Sequence, residues 1–169
     1  MTIRLDIGSG PVPEPGHIGI DKYVTLPNIV NADMWDLPYE SNEVDGIFSS
    51  HALEHIPKKH VIPTLREWHR VLKPGAVAHI RVPDLEWCVT EWLKTKCNDW
   101  NMDTIFGNQD HPGEFHLTGF TVEIMHHYLI AAGFVHVQAS AIMSHRQRTL
   151  VFIATKGPAQ ESLDVPSEE

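Results

Sequence analysis

Residues 3–10 read Ile3-Arg4-Leu5-Asp6-Ile7-Gly8-Ser9-Gly10. Ile3, Leu5 and Ile7 alternate with polar neighbours, the period-two pattern of a β-strand, and the run stops at a glycine turn. Glycine has no Cβ, so a ligand can approach such a turn closely. In open α/β sheets, turns at the carboxyl ends of strands form the ligand crevice. Two readings stand at this point: a turn that cradles a nucleotide-like ligand, or a tight loop.

The same strand-then-turn pattern recurs outward along the chain. Ile18–Asp21 (IGID), Asn28–Asp33 and Val44–Ser50 (VDGIFSS) are predicted as further strands, the last stopping at His51. Val61, Leu65, Trp68 and Leu72 share one helical face, so a helix is predicted between about Lys58 and Leu72. Pro63 fits only its first turn, and Thr64 with Glu67 has capping-box spacing, so the regular helix is expected from Thr64. Lys73-Pro74-Gly75 stops it, and Ala76–Val82 is a fifth strand. A second helix is predicted over Asp84–Cys97 with Asp84 as N-cap. A third is predicted over Thr121–Ala132, with Thr121 as N-cap and Gly133 as the left-handed residue that ends it. Between them, Asn98–Gly119 reads as an irregular loop, and loops this long in compact domains usually serve function. Phe134–Met143 and Thr149–Lys156 read as an antiparallel hairpin closing the sheet.

Short strands alternating with helices predict an α/β fold. The 169 residues suit a single domain, taken as 1–156, followed by a disordered acidic tail over 157–169. The net charge is −9. The tail after Lys156 holds four of the 22 acidic residues and none of the 13 basic ones, which leaves the body at −5. An acidic body argues against nucleic acid as the main partner, because that binding rests on basic surface. No apolar run has the ~20 residues of a membrane span. The chain enters its first strand at once, so no signal or transit segment is expected. Cys88 and Cys97 suit neither a CxxC pair nor a zinc knuckle; both read as free thiols in a reducing cytoplasm.

Several residues could carry chemistry. Asp21 ends the second strand, where an acid accepts hydrogen bonds from ribose hydroxyls or simply caps a turn. Asp33, Met34 and Trp35 follow the third strand; an aspartate there can accept from an adenine amine while an apolar side chain covers the ring. The alternative is a turn with an apolar plug. His51-Ala52-Leu53-Glu54-His55 has the H-x-x-E-H spacing of inverted zinc peptidases. The motif follows a strand directly and Pro57 ends any helix, so a zinc pair of His51 and His55 is set aside and no metal is expected. Residues packing under the sheet or lining a pocket are the readings retained. Asp110, His111, Glu114 and His116 cluster among glycines, either as a lid with a proton-transfer residue or as polar surface. His126 and His127 read as helix surface, and His17, His60, His69, His79, His136 and His145 as structural.

Taken in order, LDIGSG, IGID, NADMWDLPYESNEVDGIFSSHALEHI and LREWHRVLKPGAVAHIRVPD resemble class I, Rossmann-like methyltransferases that use S-adenosylmethionine. The likeness is closest to small bacterial and phage-type members and covers about residues 3–156. It implies S-adenosylmethionine as cofactor and a mostly parallel seven-stranded sheet of order 3-2-1-4-5-7-6 with the last strand antiparallel. Asp6, Gly8, Ser9 and Gly10 would surround the methionine part. Asp21 would hold the ribose, Asp33 with Met34 and Trp35 the adenine, and Ser50 and His51 would lie by the sulfonium. His51 and His116 are the candidate general bases, and Asp84, at the end of the fifth strand, is expected to face the crevice and position an acceptor.

Two departures from the superfamily stand out. Only ten residues, Gly8–His17, separate the first two strands, too few for the usual crossover helix. The link from Asp21 to the third strand is also short. A partner copy of the chain is therefore expected to cover the sheet face left bare, giving a homodimer. A dinucleotide fingerprint is incomplete, with Pro13 where its third glycine would stand, which counts against NAD. The acceptor is expected to be a small molecule or glycan-type metabolite; the rival reading is a cofactor-binding module without catalysis.

Overall fold

The computed structural model describes residues 2–96, 99–144 and 146–158. Cys97, His145 and residues 159–169 of the expected tail lie outside the described residues. Strands β1 (Arg4–Ile7), β2 (Ile18–Asp21), β3 (Ile29–Asn31), β4 (Val44–Ser50), β5 (Leu72–Pro83), β6 (Phe134–Ser144) and β7 (Gln147–Lys156) form one sheet. Its order is β3-β2-β1-β4-β5-β7-β6, as expected. The first five strands run parallel, and β7 is antiparallel to both neighbours.

The helices are α1 (Lys58–Val71), α2 (Leu85–Thr95), α3 (Asp99–Phe106) and α4 (Val122–Ala132), with a 3-10 turn at Leu53–His55. Along β5, Ala78, Ile80 and Val82 are fully buried while Val77, on the alternate face, is 41 % exposed. One face of the sheet is thus the core, where Val61, Leu65 and Trp68 of α1 and Met125 and Leu129 of α4 are buried. Asp84 accepts from the Trp87 amide (3.2 Å) and Thr121 from the Ile124 amide (3.3 Å), the two caps read from sequence. Gly133 ends α4 at φ +104°.

Two local readings change. α1 begins at Lys58, and Pro63 lies inside it. The missing proline N–H deprives only the carbonyl of Lys59, an exposed residue that water can serve. Thr64 is buried rather than capping, and Glu67 turns outward to the Leu37 amide and Arg70. The stretch 98–119 is also not wholly irregular, because α3 forms in it. Trp100 sets its ring edge-on to Trp87 of α2 (6.3 Å, 85°), a tertiary contact that no helical periodicity in DWNMDTIF announces.

No helix occurs between β1 and β2 or between β2 and β3. Residues 8–17 instead fold back on the strands they join. The Asp6 carboxylate accepts from the Glu14 amide (2.8 Å), and that of Asp21 from the Gly10 amide (2.9 Å). The Gly8 amide donates to the Ile20 carbonyl (2.8 Å). Gly19 makes this possible. A Cβ there would lie 2.5 Å from Ile29 Cδ1, 2.6 Å from Pro13 Cγ and 2.7 Å from Ser9 Oγ. Among the described residues, no helix is long and apolar enough to cross a membrane.

In an ordinary strand, alanine is worth roughly 0.5–1 kcal/mol over glycine. At position 19 we expect the opposite sign, with Gly19→Ala destabilising by about 1–3 kcal/mol through overpacking. Urea unfolding reads it, and a stabilised variant would show that the loop does not press on the strand.

Candidate functional site

The parallel strands end on one edge of the sheet, and a cavity of about 360 Å³ opens there. Its walls include Gly8, Asp21, Asp33, Trp35, His51 and Leu117. That volume lies in the ~300–1,000 Å³ range of small-ligand sites.

The first wall is the glycine turn. Gly8 has φ +73°, and a Cβ on it would lie 2.4 Å from Cβ of Ala52, where the chain leaves β4. Only glycine lets these two strand ends meet. The second wall is Asp21, which holds the loops on both sides of itself. Oδ2 accepts from the Gly10 amide, while Oδ1 accepts from the amides of Tyr23 (2.8 Å) and Val24 (3.0 Å). A carboxylate has about four acceptor positions, so these three bonds leave room for one further donor in this arrangement.

The third wall is a charged and aromatic cluster. Lys22 pairs with Asp33 at 2.7 Å, which raises the lysine pKa, and its ammonium sits 5.0 Å from the Trp35 ring centroid. Trp35 stacks on His60 at 5.8 Å and 25°. Helix α1 fastens this segment. The Trp68 indole donates to the Met34 carbonyl (2.8 Å), and the Glu67 carboxylate accepts from the Leu37 amide (2.9 Å). The Arg70 guanidinium, 2.7 Å from Glu67, holds that carboxyl below its ordinary range.

The fourth wall is His51, in the left-handed region at φ +54°. A non-glycine residue is held there only by its surroundings. Its Nδ1 is 3.1 Å from Oε1 of buried Glu54, and its Nε2 is 3.3 Å from the Thr149 hydroxyl. The amides of Leu117 (2.7 Å) and Thr118 (3.1 Å) donate to the Glu54 carbonyl. They bring the 111–117 segment over the crevice, where Tyr23 packs edge-on to His111 (5.0 Å).

A second cavity, of about 350 Å³, adjoins the first and is lined in part by Glu54, Asp103, Glu114 and His116. His51 and His55 line both cavities. His116 sets Nδ1 3.1 Å from the Thr104 carbonyl, and burial lowers its pKa.

Gly8, Gly10, Asp21, Asp33, Met34, Trp35 and His51 therefore share the main crevice, while His116 stands in the adjoining cavity. Asp6, Ser9 and Ser50 line another cavity, of about 320 Å³, with Arg81 and Phe48. Burial raises the Asp6 pKa there. Asp84 lines neither the main nor the adjoining cavity, contrary to expectation. It ends β5 as foreseen, but its carboxylate caps α2 and lies 3.4 Å from Arg148. Lys22, Tyr23 and Ala52 escaped the sequence reading. Their signal is positional, since each directly follows, or lies within two residues of, a strand end that was read correctly.

Residues 5–80 match the family model described as a methyltransferase domain. A 63-residue stretch is 38% identical to the demethylmenaquinone methyltransferase of Staphylococcus carnosus (strain TM300), covering 36% of this chain and 25% of that protein. The match thus spans about a quarter of the curated relative's length. Among solved structures, an S-adenosylmethionine-dependent methyltransferase of Methanosarcina mazei superposes with TM-score 0.67 at 19% identity, covering 92% of both chains. One from Thermotoga maritima gives 0.66 at 15% identity, over 92% of this chain and 83% of that one. The 1,6-didemethyltoxoflavin-N1-methyltransferase of Burkholderia thailandensis, with 1,6-didemethyltoxoflavin and S-adenosylhomocysteine bound, gives 0.65 at 19% identity, over 92% and 71%. The strand order, the glycine turn and the match over residues 5–80 agree on the Rossmann-like fold that class I methyltransferases share.

Proposed function

We propose that the protein transfers the methyl group of S-adenosylmethionine to a small-molecule or glycan-type acceptor. The observation that carries this reading is the pair of adjoining cavities with His51 and His55 in their shared wall. The main crevice fits the cofactor on the chemistry of its donors. The positive-φ Gly8 turn gives close backbone approach, Asp21 keeps one acceptor position, and Asp33 stands beside Met34 and Trp35. When bound, the cofactor supplies a methyl group on a cationic sulfur.

Methyl transfer is an in-line displacement, so the chain's work is alignment and exclusion of water. Gly8 and Gly10 border the methionine part, Asp21 takes a ribose hydroxyl, and Asp33 takes the adenine amine while Met34 and Trp35 cover the ring. Asp6, Ser9 and Ser50 shape the turn and the β4 end from behind. The acceptor occupies the second cavity, and His51 or His116 takes its proton where the nucleophile carries one of high pKa. The Burkholderia thailandensis neighbour, solved with 1,6-didemethyltoxoflavin bound, supports a small-molecule acceptor. Residues 1–156 are the catalytic unit.

Asp21→Asn is expected to weaken S-adenosylhomocysteine binding by about 10-fold or more, since bonds to a charged acceptor are worth ~1.5–3 kcal/mol. Calorimetry reads it, and an unchanged affinity would remove Asp21 from the site. His51→Ala is expected to lower turnover by about 100-fold or more while the cofactor still binds. A methyl-transfer assay over acceptor pools reads this. Cofactor binding without turnover on any pool, in the unsubstituted protein, would favour a binding module instead. The sheet face opposite α1 and α4, with Val77 41 % and Ile153 40 % exposed, is covered by a second copy of the chain in this proposal. Light scattering at micromolar concentration is expected to give a dimer, and a monomer would overturn it.

A further inference from the structure

The H-x-x-E-H spacing predicts two histidines one helical turn apart, and the fold does not make that pair. His51 ends β4 in the left-handed region, and Glu54 and His55 sit in a 3-10 turn. A different set converges instead. One carboxylate oxygen of Glu54 and one ring nitrogen each of His55 and His116 lie within 4.8 Å of one another. His116 comes from the distant segment after α3, so no local spacing reveals it.

Each donor is prepared in a way that packing alone does not require. Glu54 is 1 % exposed. Its Oε1 meets His51, while its Oε2 has no hydrogen-bond partner among the described residues. A buried carboxylate oxygen left unpaired is costly unless something positive meets it. His55 Nδ1 lies 3.2 Å from the Phe115 carbonyl and His116 Nδ1 3.1 Å from the Thr104 carbonyl. A carbonyl only accepts, so both Nδ1 atoms carry the proton. Both Nε2 atoms are then left with a lone pair, the tautomer a metal-ligating histidine takes when a backbone carbonyl orients it. The two rings stand edge-on, with centroids 4.9 Å apart.

The surrounding charge has the matching sign. Glu54, Asp103 and Glu114 line this cavity, and its described lining includes no lysine or arginine. Oε2 of Glu114 is a second buried oxygen without a partner among the described residues.

We propose that Glu54, His55 and His116 bind one divalent cation of the zinc class at the wall between the two cavities. Two imidazoles and one carboxylate suit late first-row ions rather than magnesium or calcium, which favour all-oxygen shells. Donors of a tetrahedral zinc ion at ~2.0–2.1 Å stand about 3.3 Å apart, so these side chains close by at most about 1.5 Å. The fourth position is left to water or to an oxygen or nitrogen of a molecule in the second cavity. Ion binding itself does not require the proposed methyl transfer, but with the ion bound His116 keeps no free lone pair, and His51 is left as the candidate base.

The test uses the full chain, stripped with a chelator and then dialysed against Zn²⁺ or Co²⁺. Elemental analysis is expected to find about one ion per chain, and Co²⁺ to show the intense visible absorption of a tetrahedral N,O site. Glu54→Gln and His116→Asn should each weaken binding by about 10–100-fold or more. His127→Ala, on the exposed face of α4, should bind as the parent does. Ring-nitrogen spectra of the unsubstituted protein should show Zn²⁺ shifting two histidines bonded through Nε2, a readout that survives if a variant fails to fold. Substoichiometric uptake, variants that bind like the parent, or shifts confined to histidines whose signals persist in His116→Asn would overturn the site.

Discussion

Two carboxylates at the ends of adjacent strands carry the constraint on which the sheet's ligand edge depends. A parallel crossover normally needs a helix to bring the chain back. Here ten residues make the return, and a loop that short cannot bury a helical face to hold itself. Asp6 takes the Glu14 amide and Asp21 the Gly10 amide, so each end of the loop is tied to a strand terminus. Asp21 ties down the following turn as well, through Tyr23 and Val24. Hydrogen bonds from backbone amides to a charged acceptor are among the stronger ones available, and here they do the work that helix packing does elsewhere. The same carboxylate lines the main crevice, so the loop's bonds and any further donor draw on one set of lone pairs.

The other side of the crevice is held by a different logic. The 33–37 segment has no regular structure of its own, yet it carries Asp33, Met34 and Trp35. Helix α1 supplies its order from outside, through the Trp68 indole on the Met34 carbonyl and Glu67 on the Leu37 amide. Trp68 is fully buried, so the crevice wall formed by Asp33, Met34 and Trp35 is referenced directly to the hydrophobic core. Arg70 then braces Glu67 and reaches the Tyr39 carbonyl at 2.9 Å. A disturbance deep in α1 would therefore reach the ligand wall without touching a ligand.

What could be read from the chain alone follows from which interactions are local. The strands from IRLDI to VDGIFSS, the Asp84 and Thr121 caps and the Gly133 stop each rest on residues within a few positions of one another, and the folded chain keeps them. The loss of two crossover helices was legible for the same reason, because loop length is a local fact. The failures are tertiary. Pro63 inside α1 is tolerated because the carbonyl it deprives is exposed. Helix α3 exists because Trp100 finds Trp87. Asp84 reads equally well as a cap or a crevice acid; in the fold one oxygen caps α2 and the other faces Arg148, contributed by the distant β7.

His51 shows why the two cavities are better treated as one system. Its backbone is held at positive φ where β4 ends, and its ring bridges Glu54 on one side and Thr149 of β7 on the other. Glu54 in turn holds the 111–118 segment through its backbone carbonyl while turning its side chain toward His55 and His116. One buried glutamate thus fixes the segment over the crevice, orients the candidate base and supplies a free carboxylate oxygen to the neighbouring cavity. Whatever binds that oxygen acts on the same carboxylate whose other oxygen lies 3.1 Å from the His51 ring. The two cavities are joined through that single side chain.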